Sequence, residues 1–236
     1  MNLSNYFIIF SSKMTEFDYQ WKNLSSADIE YNDLRIKEFL SFTKLNPEKS
    51  ILGKDCLDAG CGIGRYTYAM QKLGANKVNS LDISSEAIDR CKEINPNAYV
   101  FNIENLLPNP IYDFVLSWGV LHHLQNPRAA FSKVASQVKK KNGILHVMLY
   151  HKDTQKIYKE GRKIWPKLSL EEKLNYCKKK VQTHGGTIHG WFDAYNPTYN
   201  WSFTEKDIKK WFKEEGFSNI QLVPTYNINM NGQYQD

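Results

Sequence analysis

The stretch Cys56-Leu57-Asp58-Ala59-Gly60-Cys61-Gly62-Ile63-Gly64 has the residue types and spacing best suited to chemistry. An apolar run ends in an acid, three glycines follow at alternate positions, and a helical pattern comes next. Glycine lets the backbone turn sharply and lets a ligand approach without meeting a Cβ. A dinucleotide site uses G-x-G-x-x-G, whereas here the third glycine comes one residue early. Asp58 stands just before the turn, poorly placed for a pyrophosphate and well placed for an ammonium group. The ligand that fits has a zwitterionic end and no phosphate. Asp82 ends the next apolar run, about 20 residues on, where a carboxylate accepts hydrogen bonds from two ribose hydroxyls.

A second group of residues is suited to moving a proton. His122 and His123 follow the run Phe114–Trp118, and His151 closes the run Gly143–Tyr150. Ligands of open α/β sheets bind at the carboxyl ends of strands. A histidine there can take the proton of an acceptor hydroxyl near neutral pH, or it can hydrogen-bond the backbone and merely hold its loop. Asp193, Tyr195, Tyr199 and Trp201 fall in a segment expected to be a loop returning over the same edge, with Asp193 the next candidate after the histidines. His184 and His189 flank Gly185-Gly186 and are expected to be loop residues. No third ligand is spaced to complete a metal site with the histidines. Cys56, Cys61, Cys91 and Cys177 form no C-x-x-C pair, so they are expected to be reduced thiols of a cytosolic protein.

The elements that must carry these groups alternate along the chain. Strands are expected at Lys54–Ala59, Lys77–Asp82, Ala98–Asn102, Phe114–Trp118, Gly143–Tyr150 and Asn219–Val223. Helices are expected at Arg65–Leu73, from the Ser84 cap to Cys91, from Asn126-Pro127 to about Lys139, and from the Thr204 cap over Glu205–Glu215. Residues 16–50 read as helical, with Asp28 as a cap, and form an N-terminal lid. Strands alternating with helices imply a parallel sheet covered on both faces. The alternation breaks at 151–203, where helices are expected at Gln155–Ile164 and Leu170–Val181, the second opened by the capping box Ser169-x-x-Glu172. We expect one domain over 1–236: the lid to residue 50, a cofactor-binding half over 51–150, an inserted substrate cap over 151–203, and a C-terminal helix and strands over 204–236.

Composition agrees with a folded globular chain: 236 residues, 42% hydrophobic and 24% charged. The longest early apolar run, Tyr6 to Phe10, is far short of the ~20 residues of a membrane span. The recognisable sequence begins just after Met14, a candidate start. The net charge is +6, and Lys152–Lys180 alone holds ten basic against four acidic residues, the same excess. A solvated helical face explains that run, and attraction of an anionic substrate is the alternative.

The glycine turn, the acid at Asp82 and the segment Asp113–Leu124 together resemble the class I S-adenosylmethionine-dependent methyltransferases. That resemblance implies a Rossmann-like α/β fold with a seven-stranded, mostly parallel sheet and S-adenosylmethionine as cofactor. It places Asp58, Gly60, Cys61, Gly62, Gly64, Asp82, Ile83, Asn102, Ile103, Ser117 and Trp118 at the cofactor. Asn102 stands where the family usually has Asp against the adenine amine. Phe17-Asp18-Tyr19-Gln20-Trp21 and Trp191–Tyr199 resemble motifs of a bacterial small-molecule subgroup associated with cell-surface glycan and secondary pathways. They make Tyr19, Trp21, Tyr195 and Tyr199 substrate-side candidates, with Trp118 or Tyr19 walling the cofactor's cation. The expected acceptor is an oxygen of a small anionic or sugar-like molecule, with no membrane partner. The alternatives are an RNA or protein methyltransferase and a cofactor-binding protein without catalysis. A nucleic-acid acceptor is disfavoured because no RNA-binding module is appended.

Overall fold

The computed structural model describes residues 15–24 and 31–235. The apolar run at Tyr6–Phe10, Met14 and the Asp28 cap lie outside the described residues. Seven strands form one sheet: β1 (Asp55–Ala59), β2 (Lys77–Asp82), β3 (Ala98–Val100), β4 (Phe114–Trp118), β5 (Ile144–Leu149), β6 (Asn219–Val223) and β7 (Ile228–Gln233). Their order is β3-β2-β1-β4-β5-β7-β6, and β7 runs antiparallel to both its neighbours. Chain order reverses between β1 and β4, the topological switch point where open sheets bind ligands. β1 pairs with β2 through Asp58↔Ser80 and with β4 through Asp58↔Leu116, which brings Asp58, Asp82 and Trp118 to one edge.

Both sheet faces are apolar because successive side chains of a strand point to opposite sides. Phe114 and Leu116 of β4 pack with Phe39 and Phe42 of α2 (Asp33–Thr43) and Tyr66 and Met70 of α4 (Arg65–Lys72). Val115, between them, packs on the other face with Phe131 of α6 (Pro127–Ala135) and Phe212 of α10 (Glu205–Glu214). α3 (Pro47–Ser50) precedes β1, and α5 (Ser85–Cys91) follows β2. The expected caps are present: Ser84 accepts from Ala87 N–H, Asn126 from Ala129 N–H, and Thr204 forms a capping box with Asp207.

Four expectations about elements need correction. The helical stretch 16–50 is several pieces: α1 (Asp18–Asn23) lies at the carboxyl edge, whereas α2, capped by Asn32, is a sheet-covering helix with Phe39 fully buried. Gln155–Ile164 is a 3-10 turn, Thr154–Tyr158, followed by the short helix α7 (Lys159–Ile164). α8 extends three residues past Val181, over Leu170–His184, with its capping box in place. Segment 188–195 is a helix rather than a loop, α9 (Ile188–Tyr195), capped by Thr187. Its signal was present as Ile188, Trp191, Phe192 and Tyr195, at i, i+3, i+4 and i+7. The preceding glycine pair and Gly190 concealed it. The insertion has its own small core of Trp165, Cys177, Trp191, Phe192 and Tyr195.

Candidate active site

A cavity of about 1330 Å³ opens along the carboxyl edge of the sheet. Ordinary small-molecule sites hold ~300–1,000 Å³, so this one has room for two ligands side by side. One end is built by β1, β2 and β4. Asp58 is 2% exposed and accepts from Thr67 Oγ1 at 2.7 Å. Burial pushes its carboxyl up to about 7. Asp82 accepts from Gly62 N–H at 2.8 Å and Ser84 N–H at 2.9 Å, and burial still holds it up to about 6. The turn between these acids keeps Gly60, Gly62 and Gly64 at φ +91°, +54° and +90°. A Cβ on Gly60 would lie 2.2 Å from Val120, and one on Gly62 would lie 2.5 Å from the Trp21 ring. Bare backbone is therefore required by close approach as well as by dihedral angle.

Cys61, Ile83, Asn102, Ile103 and Trp118 also line this end, and Glu104, which sequence reasoning passed over, joins them. Two cofactor candidates do not line it. Gly64 caps α4 and faces Cys91, while the Ser117 hydroxyl donates to Ala59 C=O at 3.0 Å inside the sheet. The Asn102 carbonyl already accepts from Glu104 N–H at 2.9 Å, starting a 3-10 turn. The Trp118 indole N–H is buried with no acceptor among the described residues, and the Arg65 guanidinium lies 5.1 Å from the ring centroid. Two buried carboxylates held near neutrality call for a cation and hydroxyl donors, and the indole N–H calls for an acceptor. S-adenosylmethionine, with its ammonium, ribose hydroxyls and sulfonium, fits that set.

The other end is assembled from remote segments. His123 ends the 3-10 turn Leu121–His123 after β4. Its Nδ1 lies 3.0 Å from the carbonyl of Tyr199. A carbonyl only accepts, so Nδ1 carries the proton and Nε2 presents a lone pair. Among the described residues Nε2 is buried without a hydrogen-bond partner, 3.8 Å from Asp193 Oδ2. Burial lowers the His123 pKa and Asp193 opposes the shift, so the ring is neutral near pH 7. Asp193 sits on α9, off the apolar stripe, and accepts from Gln20 Nε2 at 2.7 Å.

The remaining candidates are placed differently. His122 is fully buried, stacked on Tyr150 at 3.6 Å, and does not line the cavity. Burial drives its pKa well down. His151 is also off the cavity, its Nδ1 accepting from Asp153 N–H at 3.2 Å. Trp21 and Tyr199 line the chamber. Tyr19 and Tyr195 face the insertion's core instead, against Phe192 and Trp165. Phe17, Met148, Tyr150 and Ile188 complete the walls and were not singled out from sequence. For Tyr150, its place one residue past a strand end was the available signal. Among the described residues no lysine lines the cavity: its charged residues are Arg35 and Arg65 against Glu16, Asp58, Asp82, Glu104 and Asp193. Lys178 and Lys179 are exposed on α8, and Lys180 lies over the rings of Tyr176 and Trp191.

The fold and this edge define a Rossmann-like methyltransferase of class I. A family model described as methyltransferase domain matches residues 30–222, and the chain belongs to that family. It is an S-adenosylmethionine-dependent methyltransferase. An uncharacterized protein of Haemophilus influenzae is 26% identical over 191 residues, 76% of this chain and 72% of that one. A tRNA U34 carboxymethyltransferase of Alteromonas mediterranea is 32% identical over 37% of this chain and 30% of its own. A ubiquinone biosynthesis O-methyltransferase of Shewanella pealeana is 30% identical over 43% of this chain and 50% of its own. The chain thus spans half or less of the length of those two named relatives. In fold, it is similar to the magnesium protoporphyrin IX methyltransferase of Synechocystis crystallised with bound SAH, at TM-score 0.57 and 17% identity over 93% of both chains. Among the described residues no helix is long and apolar enough to cross a membrane.

Proposed function

We propose that this enzyme methylates a hydroxyl oxygen of an uncharged small molecule, with His123 as general base and Asp193 as its electrostatic partner. The observation that carries the reading is the protonation pattern of His123. Its Nδ1–H is committed to the Tyr199 carbonyl, and Nε2 is left as a buried, unpartnered acceptor beside Asp193. When bound, S-adenosylmethionine supplies an electrophilic methyl group on its sulfonium. Nε2 is placed to take the acceptor hydroxyl's proton, and the imidazolium so formed would be stabilised by the Asp193 carboxylate 3.8 Å away. Asp58 and Asp82 hold the cofactor end, and α1 with α9 excludes water.

The excess of acidic over basic side chains among the described lining residues, five carboxylates against two arginines, together with Phe17, Trp21, Met148, Tyr150 and Tyr199, favours a neutral and largely apolar acceptor over an anionic one. The relative named for ubiquinone biosynthesis O-methylation is consistent with that chemistry. A labelled-methyl transfer screen, comparing phenolic and other neutral hydroxyl compounds with sugar phosphates, tests it. Label entering only phosphorylated or carboxylated acceptors would reject the reading. A second reading, RNA methylation, has in its favour the relative named for tRNA U34 carboxymethylation and the exposed lysines of α8. Label recovered in bulk RNA rather than in small molecules would favour it.

A further inference from the structure

The N-terminal motif and the motif of α9 stand at opposite ends of the chain and meet across the cavity. Glu16 accepts from Asn196 Nδ2 through its main-chain carbonyl and from Thr198 N–H through its carboxylate. Tyr19 packs its ring on Phe192 at 5.6 Å. On its other side α1 is tied to the cofactor half. Asp18 accepts from the Ser84 hydroxyl, and Arg90 Nη1 donates to Trp21 C=O at 2.9 Å. Trp21 covers Gly62. One short helix thus touches the glycine turn, the residue after the ribose-side acid's loop, and the acceptor chamber.

Gln20 is the residue of α1 that reaches the chemistry. It is fully buried, and its Nε2 donates to Asp193 Oδ1 at 2.7 Å. A carboxylate oxygen only accepts, so the amide must present its NH₂ there. Its Oε1 is buried with no partner among the described residues, where the bond to Asp193 is the amide's one hydrogen bond. With Oδ1 held, Oδ2 is the oxygen that stands 3.8 Å from His123 Nε2. That gap is too long for a direct hydrogen bond. Nε2 is left without a hydrogen-bond partner among the described residues, while the negative charge remains close enough to stabilise the imidazolium.

We propose that Gln20 is a positioning residue: it holds the Asp193 carboxylate in the orientation that serves His123, and so ties the base to the seating of α1 over the cofactor site. This rests on the reading of His123 and Asp193 as the base pair. The charged and titratable groups facing His123 are Asp193 from α9, Arg162 from α7, Glu16 ahead of α1, His122 beside it and Tyr150 after β5. Of these, Asp193 is the one Gln20 holds.

The test is an NMR pH titration of the His123 imidazole in the full chain saturated with S-adenosylhomocysteine. It compares wild type, Gln20→Leu, Asp193→Asn and the double variant, with Gln20→Met as a second replacement of similar bulk. Freed of the amide, Asp193 turns toward water, so either Gln20 variant should lower the apparent pKa of His123 by about half a unit or more, in the same direction as Asp193→Asn. In the Asp193→Asn background Gln20→Leu should add nothing, because an effect transmitted through a partner vanishes with the partner. Affinity for S-adenosylhomocysteine should stay within about twofold. An unchanged or raised His123 pKa in both Gln20 variants, or an additive shift in the double variant, overturns the proposal while leaving the base pair intact. If Asp193→Asn itself leaves His123 unmoved, the base pair and this proposal fall together.

Discussion

The two ends of the cavity are made of different material. The end proposed for the cofactor uses main chain and a few acids: Gly60 and Gly62 of one turn, plus Asp58 and Asp82 at the tips of neighbouring strands. Its parts lie close along the chain, and the parallel ladder sets them side by side. The acceptor end uses side chains from α1, the turn after β4, the end of β5 and α9. Its central hydrogen bond joins residues 173 positions apart. A backbone cradle anchored in a sheet is rigid by construction, whereas a chamber made by docking a short helix on an insertion is only as well formed as that docking. Outside α1, which touches both ends, cofactor binding and acceptor activation should therefore be separable by mutation.

The largest expected effect is on the acceptor side. His123→Ala should lower kcat by more than about 100-fold, because a positioned base contributes ~10²–10⁴-fold. Cofactor affinity, measured by calorimetry with S-adenosylhomocysteine, should change by no more than a few fold. Near-normal turnover would mean that the acceptor arrives ionised or needs alignment alone.

The mirror experiment is Asp82→Ala. It removes the proposed acceptor of two ligand hydroxyls and also frees Gly62 N–H and Ser84 N–H. Cofactor binding should weaken by roughly 2–4 kcal/mol, at ~1–3 kcal/mol for each buried group left unpaired. The His123 titration should be unaffected. A change in that titration would show that the two ends are not separable.

A smaller effect is expected from pH. Asp58 is raised to about 7 and Asp82 to about 6, so each takes up a proton as pH falls through those values. A cationic, hydroxyl-bearing ligand needs the ionised forms. Affinity for S-adenosylmethionine should therefore fall between pH 8 and 5.5, by at most about tenfold per pH unit for each group. Calorimetry across that range should show a flatter profile for Asp58→Asn. Affinity that rises on acidification would contradict the assignment.

The smallest effect is expected outside the cavity. Reversing Lys178, Lys179 and Lys180 to Glu should alter kcat/KM for a neutral acceptor by less than about twofold, with little dependence on salt, since surface charges are screened over ~10 Å at 0.1 M. A large loss confined to low salt would restore an anionic acceptor and undo the contrast drawn from the lining residues.

The local elements around the glycine turn were largely legible in the sequence. Strand boundaries at Lys77–Asp82 and Phe114–Trp118, the Ser84 cap, and the glycine turn between two acids are all local patterns, and the structure has them where they were expected. β7 was not located: Ile228–Gln233 alternates over only four residues and carries asparagines and a glycine, which disfavour strands, and its place between β5 and β6 comes from pairing on both edges.

What the sequence by itself determined, then, is the chemistry written in short spacings: a glycine turn whose main-chain angles admit little else, acids at strand ends, and caps that begin helices. What only the tertiary structure decided is which side chains face one another. α9 buries Trp191, Phe192 and Tyr195 in the insertion, which turns Tyr195 away from the chamber and presents His189, Gly190 and Asp193 to it. His122 and His123 are adjacent in sequence, yet one is stacked against Tyr150 off the cavity and the other is turned into it by the Tyr199 carbonyl. A helix has 3.6 residues per turn, so the side that meets the ligand is set by the side that meets the core. That rotation is a property of packing between distant segments and has no local sign.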